Sequence, residues 1–286
     1  MRQVYLNGDF IPEDQAKVSA FDRGFLFGDG IYEVTLVLNG KLVDFDGHMA
    51  RLKRSAGELA LPFEADPQQL KAIHQELVRR NDLVEGMIYL QVTRGSAGDR
   101  DFHYPPEGTT PTLLLFTQKK NIVGDPDAVR GKKVITIEDL RWQRSDIKTV
   151  QLLFASMSKM RAKAEGADDA WFVHGDVVTE GTSNNAFIVT ADGTIVTREL
   201  STSILHGITR KAVIECISEL GLKLEERPFT VSEALQAAEA FTTSATSLVT
   251  AVVSIDGSFL GTGTPGPVAS RLREIYIRKS REAAID

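Results

Sequence analysis

The start of the chain shows two different hydrophobic periods. Runs that alternate apolar and polar residues surround Asn7-Gly8 and Asn39-Gly40. Both dipeptides favour tight turns, so each is predicted to close a β-hairpin. Residues 48–61 instead repeat their apolar positions at helical spacing, which predicts an amphipathic helix. The apolar face of this helix consists of Met49, Leu52, Ala56 and Leu59.

A second helix is predicted after Asp66, which suits the N-cap position, with Pro67 in the first turn. Two apolar segments, 87–95 and 110–118, then read as strands. The stretch 119–133 is mostly polar and contains Gly and Pro, as expected of a connection between domains.

The remainder of the chain is rich in predicted strands. Segment 134–140 reads as a strand, and 146–167 as a helix whose first turn carries Lys148. Segments 169–181 and 185–197 are hairpin-like, with Gly175 and Gly193 in their turns. Further helices are predicted at 209–221, 231–241 (with Ser232 as the cap) and 266–284, and a strand, loop and hairpin at 241–261.

These elements predict an α+β protein of two domains with a sheet in each. We expect a small N-terminal domain over residues 1–120, a link over 121–133, and a larger, β-rich C-terminal domain over 134–286. A length of 286 residues, 42% hydrophobic and 25% charged, provides enough material for both cores.

Charge and cysteine content exclude several classes of function. The net charge is -6 without a long basic block, which argues against nucleic-acid binding through a cationic face. There is no apolar signal core and no apolar run near 18 residues, so we expect a cytoplasmic protein. Cys216 is the single cysteine and reads as a helical core residue, and the five histidines lack metal-site spacing. No metal is expected.

Lys148 and Glu180 are the first candidates for chemistry. Lys148 stands beside Ile147 and before an apolar run, where partial desolvation would make the neutral amine available for condensation with an aldehyde. A lysine that reaches solvent from a helix start is the alternative. Glu180 lies between two apolar runs, and the only candidate cation within ten residues is His174. A buried carboxylate there needs a partner from elsewhere in the fold, or one that is not protein.

Two turns are candidates for anion binding. A helix begins after Gly207, and its free N–H groups, together with the Thr209 hydroxyl, could hold a phosphate. The hydroxyl-rich loop 241–248 is a second candidate, and Arg51 offers a planar fork that suits phosphate. The alternatives are that the turn at Gly207 is an ordinary one, that the loop 241–248 is only polar, and that Arg51 is a solvated surface residue. Taken together with Lys148 and Glu180, these features match what pyridoxal 5′-phosphate requires.

The chain resembles the class IV aminotransferases, which are the fold type IV pyridoxal-phosphate enzymes, along essentially its whole length. Within that family it looks most like the D-amino acid (D-alanine) transaminases. Each matching segment is short, but their shared order along the chain makes the resemblance specific. The segments are FDRGFLFGDGIYEV, HMARL, QVTRG, RWQRSDIK, VTEGTSNN, LHGITR and DGSFLGTGTPGPV.

The resemblance implies a role for several residues. Lys148 matches the Schiff-base lysine that also moves the proton, Glu180 the partner of the pyridine nitrogen, and Arg51 the phosphate-binding arginine. Leu205 matches the residue that packs on the cofactor ring. The matching phosphate-binding positions are Gly207, Ile208, Thr209, Ala245 and Thr246. The matching substrate-binding positions are Tyr32, Arg100 and His103. The resemblance also implies a homodimer, with residues of both subunits around the substrate.

This sequence departs from the D-amino acid enzymes at two places. Their substrate loop typically has one residue between Arg and His, whereas two separate Arg100 from His103 here. In the second phosphate loop Ala245 stands where the family usually has Thr, although its backbone N–H and the Thr246 hydroxyl could still serve.

The sequence therefore predicts a ping-pong transaminase acting on a D-amino acid and a 2-oxo acid. Three alternatives remain open. A branched-chain L-amino acid transaminase shares the cofactor residues but usually has a Phe-Glu-Gly type segment where this chain reads YEV. An aminodeoxychorismate lyase shares the fold but eliminates pyruvate. A scaffold protein without cofactor is disfavoured by Lys148 and Glu180 together.

Overall fold

The structure is a computed structural model of the chain and describes residues 1–285. Internal contacts divide these residues into two compact units. The first unit comprises Met1–Asn121, Ile147–Gln151 and residues 280–285, and the second comprises Ile122–Asp146 and Leu152–Lys279. The expected domain boundaries at residues 120 and 134 stay a prediction. They place residues 147–151 in the C-terminal domain, whereas the contacts group these residues with the first unit.

The first unit combines one antiparallel sheet with helices on it. Its elements are β1 (Gln3–Leu6), β2 (Asp9–Pro12), α1 (Arg23–Phe27), β3 (Gly30–Leu38), β4 (Lys41–Leu42), α2 (Phe45–Glu58), α3 (Pro67–Arg80), β5 (Glu85–Thr93) and β6 (Thr112–Lys119). The sheet order is β2-β1-β6-β5-β3-β4, with every neighbouring pair antiparallel.

The apolar faces of α2 and α3 bury against this sheet, as their helical spacing predicts. Met49 and Leu52 of α2 and Leu77 of α3 share one core cluster with Ile31 and Ile88 of the sheet. The predicted N-cap is confirmed, because the Asp66 side chain accepts a hydrogen bond from the Gln68 N–H at 2.9 Å. Both predicted hairpin turns are also confirmed, with positive φ at the Asn and the Gly of each.

The second unit is built on a larger, mixed sheet. Its elements are α4 (Pro126–Arg130), β7 (Lys132–Glu138), α5 (Leu153–Ala164), β8 (Asp169–His174), β9 (Val177–Gly181), β10 (Asn185–Val189), β11 (Ile195–Thr197), α6 (Ile208–Glu219), β12 (Leu224–Glu226), α7 (Val231–Leu235), β13 (Glu239–Ser244), β14 (Leu248–Ile255), β15 (Ser258–Phe259) and α8 (Pro267–Ala283). The order is β12-β11-β10-β13-β14-β7-β8-β9, and β15 pairs with β14. Three pairs are parallel: β11/β12, β7/β14 and β7/β8.

The strands of the second sheet are buried over most of their length. Trp171, Ile188 and Val252 belong to one core cluster, and Phe172 lies in another that also contains Ala162 of α5. The predicted α+β class is therefore confirmed. Among residues 1–285, no helix is long and apolar enough to cross a membrane.

The predicted helix over 146–167 is wrong in its first half, because α5 begins only at Leu153. Residues 147–151 form an irregular segment beside β3, in which only Thr149 makes a β-bridge, to Ile31. The Tyr32 N–H donates to the Lys148 carbonyl oxygen at 3.0 Å, and the Val150 N–H donates to the Gly30 carbonyl oxygen at 3.0 Å. Lys148 is therefore not at a helix start but in an irregular segment that is hydrogen-bonded to β3.

The predicted helix over 231–241 is also too long. Helix α7 ends at Leu235, and β13 starts at Glu239. The N-cap is Thr230 rather than Ser232, since the Thr230 hydroxyl accepts from the Glu233 N–H at 3.1 Å. The final helix and the helix before Gly221 lie within about two residues of their predicted bounds, as is usual for helix ends.

Candidate functional site

Lys148 and Tyr32, both predicted to contact cofactor or substrate, lie together in the first unit. The hydrogen bond between their backbones brings the Lys148 Nζ over the Tyr32 ring, 4.2 Å from its centroid. Both side chains are partly buried. Tyr32 stacks on Tyr89, and Tyr89 on Phe116, so cross-strand aromatic rings support the face that Lys148 contacts.

Arg51 is buried and not the solvated surface arginine that was the alternative. Its Nε and Nη2 donate to the two carboxylate oxygens of Glu33, at 2.8 and 2.7 Å. His48 Nδ1 lies 2.7 Å from the same carboxylate. Burial would raise the pKa of Glu33, but Arg51 and His48 outweigh it and lower that pKa to about 2.

This arrangement holds the Arg51 guanidinium in one orientation on α2. Sequence reasoning missed Glu33 and His48. The sequence contained part of the information needed to find His48, because His48 and Arg51 are three residues apart and share a helix face. The pairing with Glu33 on β3 crosses between elements and leaves no local pattern.

The loop that carries Arg100 and His103 is held by other residues. Arg23 Nη1 donates to the carbonyl oxygens of Asp101 and His103, at 2.7 and 3.1 Å. The His103 side chain is 94% exposed and lies 3.0 Å from an Asp101 carboxylate oxygen. The Arg100 guanidinium lies over the rings of Phe27 and Phe102. Among residues 1–285, these contacts of Arg100 and His103 are made with residues of their own loop or of α1. None of these contacts is with Lys148 or Tyr32.

Glu180 lies on β9 in the second unit and is 3% exposed. Of the two alternatives for its partner, the structure shows the first, a partner from elsewhere in the fold. Arg141 Nη1 donates to Oε1 at 2.7 Å, while Asn185 Nδ2 and the Leu205 N–H each donate to Oε2 at 3.0 Å. Arg141 is 39 residues away in sequence, outside the neighbourhood in which a cation was sought.

Arg141 is shared between two carboxylates. Asp139 accepts from Arg141 Nε at 2.9 Å and from Nη2 at 2.7 Å. Burial lowers the pKa of Arg141, but Asp139 and Glu180 raise it by more. Burial raises the pKa of Asp139, but Arg141 and Thr179 outweigh burial, so the pKa of Asp139 lies below its ordinary value. With Glu180 ionised, one cation thus serves two anions, and the group carries a net charge of one negative unit.

The predicted phosphate turn opens helix α6, with Gly207 as the N-cap residue. Its φ of -64° is one that any residue can adopt, so the backbone conformation does not require glycine here. Glycine is required by the close packing, because a Cβ at this position would lie 2.0 Å from Asn185 Oδ1. Asn185 Nδ2 also donates to the Leu205 carbonyl oxygen at 2.9 Å. One amide thus joins Glu180 to the segment that leads into α6.

Ala245 and Thr246, the second predicted phosphate positions, form the turn between β13 and β14. The turn is fixed by the Ser244 and Ser247 hydroxyls, whose oxygens lie 2.6 Å apart. Both predicted phosphate turns lie in the second unit, as does Glu180.

The model of the family Amino-transferase class IV matches residues 30–255, which is most of the chain. The chain belongs to the class IV aminotransferases. This class IV aminotransferase is 39% identical over 274 residues to a D-alanine aminotransferase of Bacillus licheniformis, covering 95% of this chain and 94% of the relative. It is 33% identical to a D-alanine aminotransferase of Listeria monocytogenes, covering 98% and 97%.

Solved structures of class IV aminotransferases share the fold. A branched-chain aminotransferase of Thermoproteus uzoniensis, solved with norvaline, superposes with a TM-score of 0.84 at 27% identity, covering 97% of this chain and 94% of that one. A second branched-chain amino acid aminotransferase, solved with pyridoxamine 5′-phosphate, gives a TM-score of 0.86 at 28% identity over 97% and 93% of the two chains. The branched-chain enzyme of Escherichia coli gives a TM-score of 0.89 at 22% identity over 98% and 94%, which shows the fold alone.

Proposed function

We propose that this class IV aminotransferase uses pyridoxal 5′-phosphate to transfer the amino group of a D-amino acid, such as D-alanine, to a 2-oxo acid. The observation that carries the proposal is Glu180, a buried carboxylate held by three donors in a group with one excess negative charge. A protonated pyridine nitrogen is a cation that would balance this charge. The preference for D-amino acids rests on the relatives, which are D-alanine aminotransferases over nearly the full length.

The remaining cofactor groups have candidate partners in the chain. We propose that Lys148 holds the aldehyde carbon and that Leu205 packs on the ring. The phosphate would be held by Arg51, by the α6 N-terminus at Gly207, Ile208 and Thr209, and by the turn at Ala245 and Thr246. The N–H groups of the first turn of α6 suit an anion. Two Arg51 nitrogens donate to Glu33, which fixes the orientation of the guanidinium.

The bound cofactor supplies an electron sink for the charge that develops when the substrate Cα loses its proton. Lys148 Nζ would take up that proton as the base and then donate it as the acid. Glu180 would accept a hydrogen bond from the pyridine nitrogen and so favour its protonated form. Tyr32 lies against Lys148, so we propose that it orients the lysine and contacts the substrate.

The substrate carboxylate is assigned to Arg100, with His103 as a second candidate. Arg23 holds the backbone of this loop through two carbonyl oxygens, and therefore sets where Arg100 can reach. The additional residue between Arg100 and His103 makes His103 the weaker of the two.

A branched-chain L-amino acid transaminase is the second candidate function, because solved structures with that activity share the fold at 28% identity. A panel of paired D and L amino donors, with pyruvate or 2-oxoglutarate as acceptor, separates the two. We expect turnover with D-alanine and little with L-leucine or L-valine. The reverse preference would overturn the D-amino acid assignment, and pyruvate release without an acceptor would indicate a lyase.

Lys148→Ala tests the catalytic assignment. Loss of the acid–base group should lower transamination by about 10²-fold or more. Lys163→Ala, at an exposed lysine of α5, is the matched control and should keep normal turnover. Borohydride reduction of the loaded enzyme followed by peptide mass mapping should find the cofactor on Lys148. A label on another lysine would refute the assignment.

We also propose that the protein is a homodimer. The exposed aromatic residues Phe25, Phe102 and Tyr104 of the first unit support this, because large apolar side chains at the surface commonly mark an interface. The cytoplasmic location expected from the sequence remains a prediction.

A further inference from the structure

We propose that Arg141 is a positioning residue that fixes both the orientation and the ionised state of Glu180, with Asp139 as its anchor. The inference deepens the proposed function, on which it rests for the role of Glu180 toward the cofactor. The contacts that carry it lie within the second unit and are independent of any ligand.

Arg141 reaches Glu180 by crossing a strand. Asp139 directly follows β7, and its N–H donates to the Val173 carbonyl oxygen of β8 at 2.7 Å. From there the Arg141 guanidinium lies over the Phe172 ring of β8, 4.6 Å from its centroid, and meets Glu180 on β9. The planar ion is therefore supported by an aromatic face and bonded at both edges.

Asp139 holds Arg141 at several atoms. Besides the bonds from Nε and Nη2, the Arg141 backbone N–H donates to Asp139 Oδ1 at 3.2 Å. Asp139 Oδ2 also accepts from the Thr179 hydroxyl at 2.9 Å, which ties Asp139 to the residue before Glu180. Two nitrogens of the Arg141 guanidinium thus bond to Asp139, and the third, Nη1, bonds to Glu180.

The charges around Glu180 are few. Arg141 is the cation bonded to it, and Asp139, which shares Arg141, is an anion whose charge raises the pKa of Glu180. Asn185 and the Leu205 N–H add neutral donors from β10 and the segment before α6. Another charged side chain bonded to β9 is Arg198, which donates to the Val178 carbonyl oxygen at 3.3 Å.

The balance of these effects decides the protonation of Glu180. Burial raises the pKa of Glu180, and the Arg141 guanidinium and the Leu205 N–H counteract part of that rise. Without Arg141, burial and Asp139 would both favour the neutral acid. A neutral acid cannot serve as the counter-ion of a pyridinium, so Arg141 controls whether Glu180 can act.

Charge and orientation can be separated by substitution. Arg141→Met removes both, whereas Arg141→Lys keeps a positive charge but not a planar fork that contacts two carboxylates. Arg144→Met is the matched control. Arg144 lies three residues further along the same segment and pairs with Asp146, 3.0 Å away.

The measurement is a pH titration of the Glu180 side-chain carboxyl by ¹³C NMR, in apoprotein labelled at glutamate and assigned with Glu180→Gln. Arg141→Met should move the titration upward by roughly 1–3 pH units. Arg141→Lys should stay near the wild type, and Arg144→Met should not change it. An unchanged titration in Arg141→Met would overturn the proposal, as would a Lys variant that behaves like the Met variant.

Cofactor binding supplies the second readout. Pyridoxal 5′-phosphate titrated into the apoproteins should bind more weakly to Arg141→Met, and Arg141→Lys should recover part of the loss. Circular dichroism of each variant verifies the fold. If the Met variant does not fold, Arg141→Gln, a second variant without the charge, takes its place in both measurements with the same expected direction. If the wild type binds no cofactor, the proposed function fails while the apoprotein titration still decides the role of Arg141.

Discussion

His74 is a buried histidine with no role in the proposed chemistry. Its Nδ1–H donates to the Leu70 carbonyl oxygen at 2.7 Å, and its ring meets Phe45 edge-on. Nε2 is buried and has no hydrogen-bond partner in the described chain. Burial, together with the nearby His48, lowers the pKa of His74 to about 4.

The low pKa of His74 predicts a loss of stability in mild acid. The unfolded chain binds a proton below about pH 6.5, whereas the folded chain does so only near pH 4. The contribution of His74 is therefore complete above pH 6.5 and falls as the pH is lowered to about 4, by up to about 3 kcal/mol.

Urea unfolding of wild type and His74→Leu at pH 7, 6 and 5 measures this effect. The variant should lose less free energy of unfolding between pH 7 and 5 than the wild type. His174→Gln, at an exposed histidine, should keep the wild-type slope. Parallel slopes for wild type and His74→Leu would contradict the prediction.

At the scale of elements, the irregular segment 147–151 decides where Lys148 lies. Ile147 is buried in the core of the first unit, and Thr149 forms a bridge with Ile31 on β3. Had the predicted helix formed, Lys148 would be separated from Tyr32. Because the side chain follows its backbone, pairing with a strand of the first sheet, and not helical propensity, sets the position of the proposed catalytic amine.

Helix α8 gives an element-scale prediction. Its first turn is capped by a residue from β13, since the Val268 and Ala269 N–H groups donate to the two Glu239 carboxylate oxygens, each at 3.0 Å. Glu239→Ala leaves both donors without this acceptor, and we expect the free energy of unfolding to fall by about 1–2 kcal/mol.

Denaturant unfolding followed by circular dichroism checks this expectation. The matched control is Glu274→Ala, an exposed glutamate in the interior of α8, which should change stability by less than about 0.5 kcal/mol. Equal effects of the two substitutions would show that the Glu239 cap contributes nothing specific.

At the scale of the whole molecule, the two units each have their own sheet and core. The first carries Lys148, Tyr32 and Arg51, and the second carries Glu180 and both predicted phosphate turns. Because the first unit exposes large aromatic residues, we expect the chain to associate with a second copy.

The homodimer can be tested directly. Light scattering after size exclusion at micromolar concentration should give a mass twice the 31.4 kDa of one chain. Phe25→Ser combined with Phe102→Ser, which removes two exposed aromatic rings, should shift the mass toward one chain. A single-chain mass for the wild type would exclude the dimer at that concentration.

Local patterns in the sequence determined a large part of this description. Turn dipeptides, the Asp66 cap and the helical spacing of α2 and α3 are short-range signals, because neighbouring residues alone specify them. The order of short motifs along the chain also indicated the family, which the comparisons confirmed. Lys148 and Glu180 stood out by their apolar neighbours and Arg51 by its chemistry, and the family resemblance then gave each a role.

Only the tertiary structure decided what those candidates contact. Arg141 pairs with Glu180 and Arg51 with Glu33, across 39 and 18 residues. Neither pair follows from helical or strand periodicity, because long-range pairing depends on how the strands are ordered in the sheets. The same reason explains the non-helical backbone at Lys148, where hydrogen bonds to β3 outweigh a helix-like local pattern.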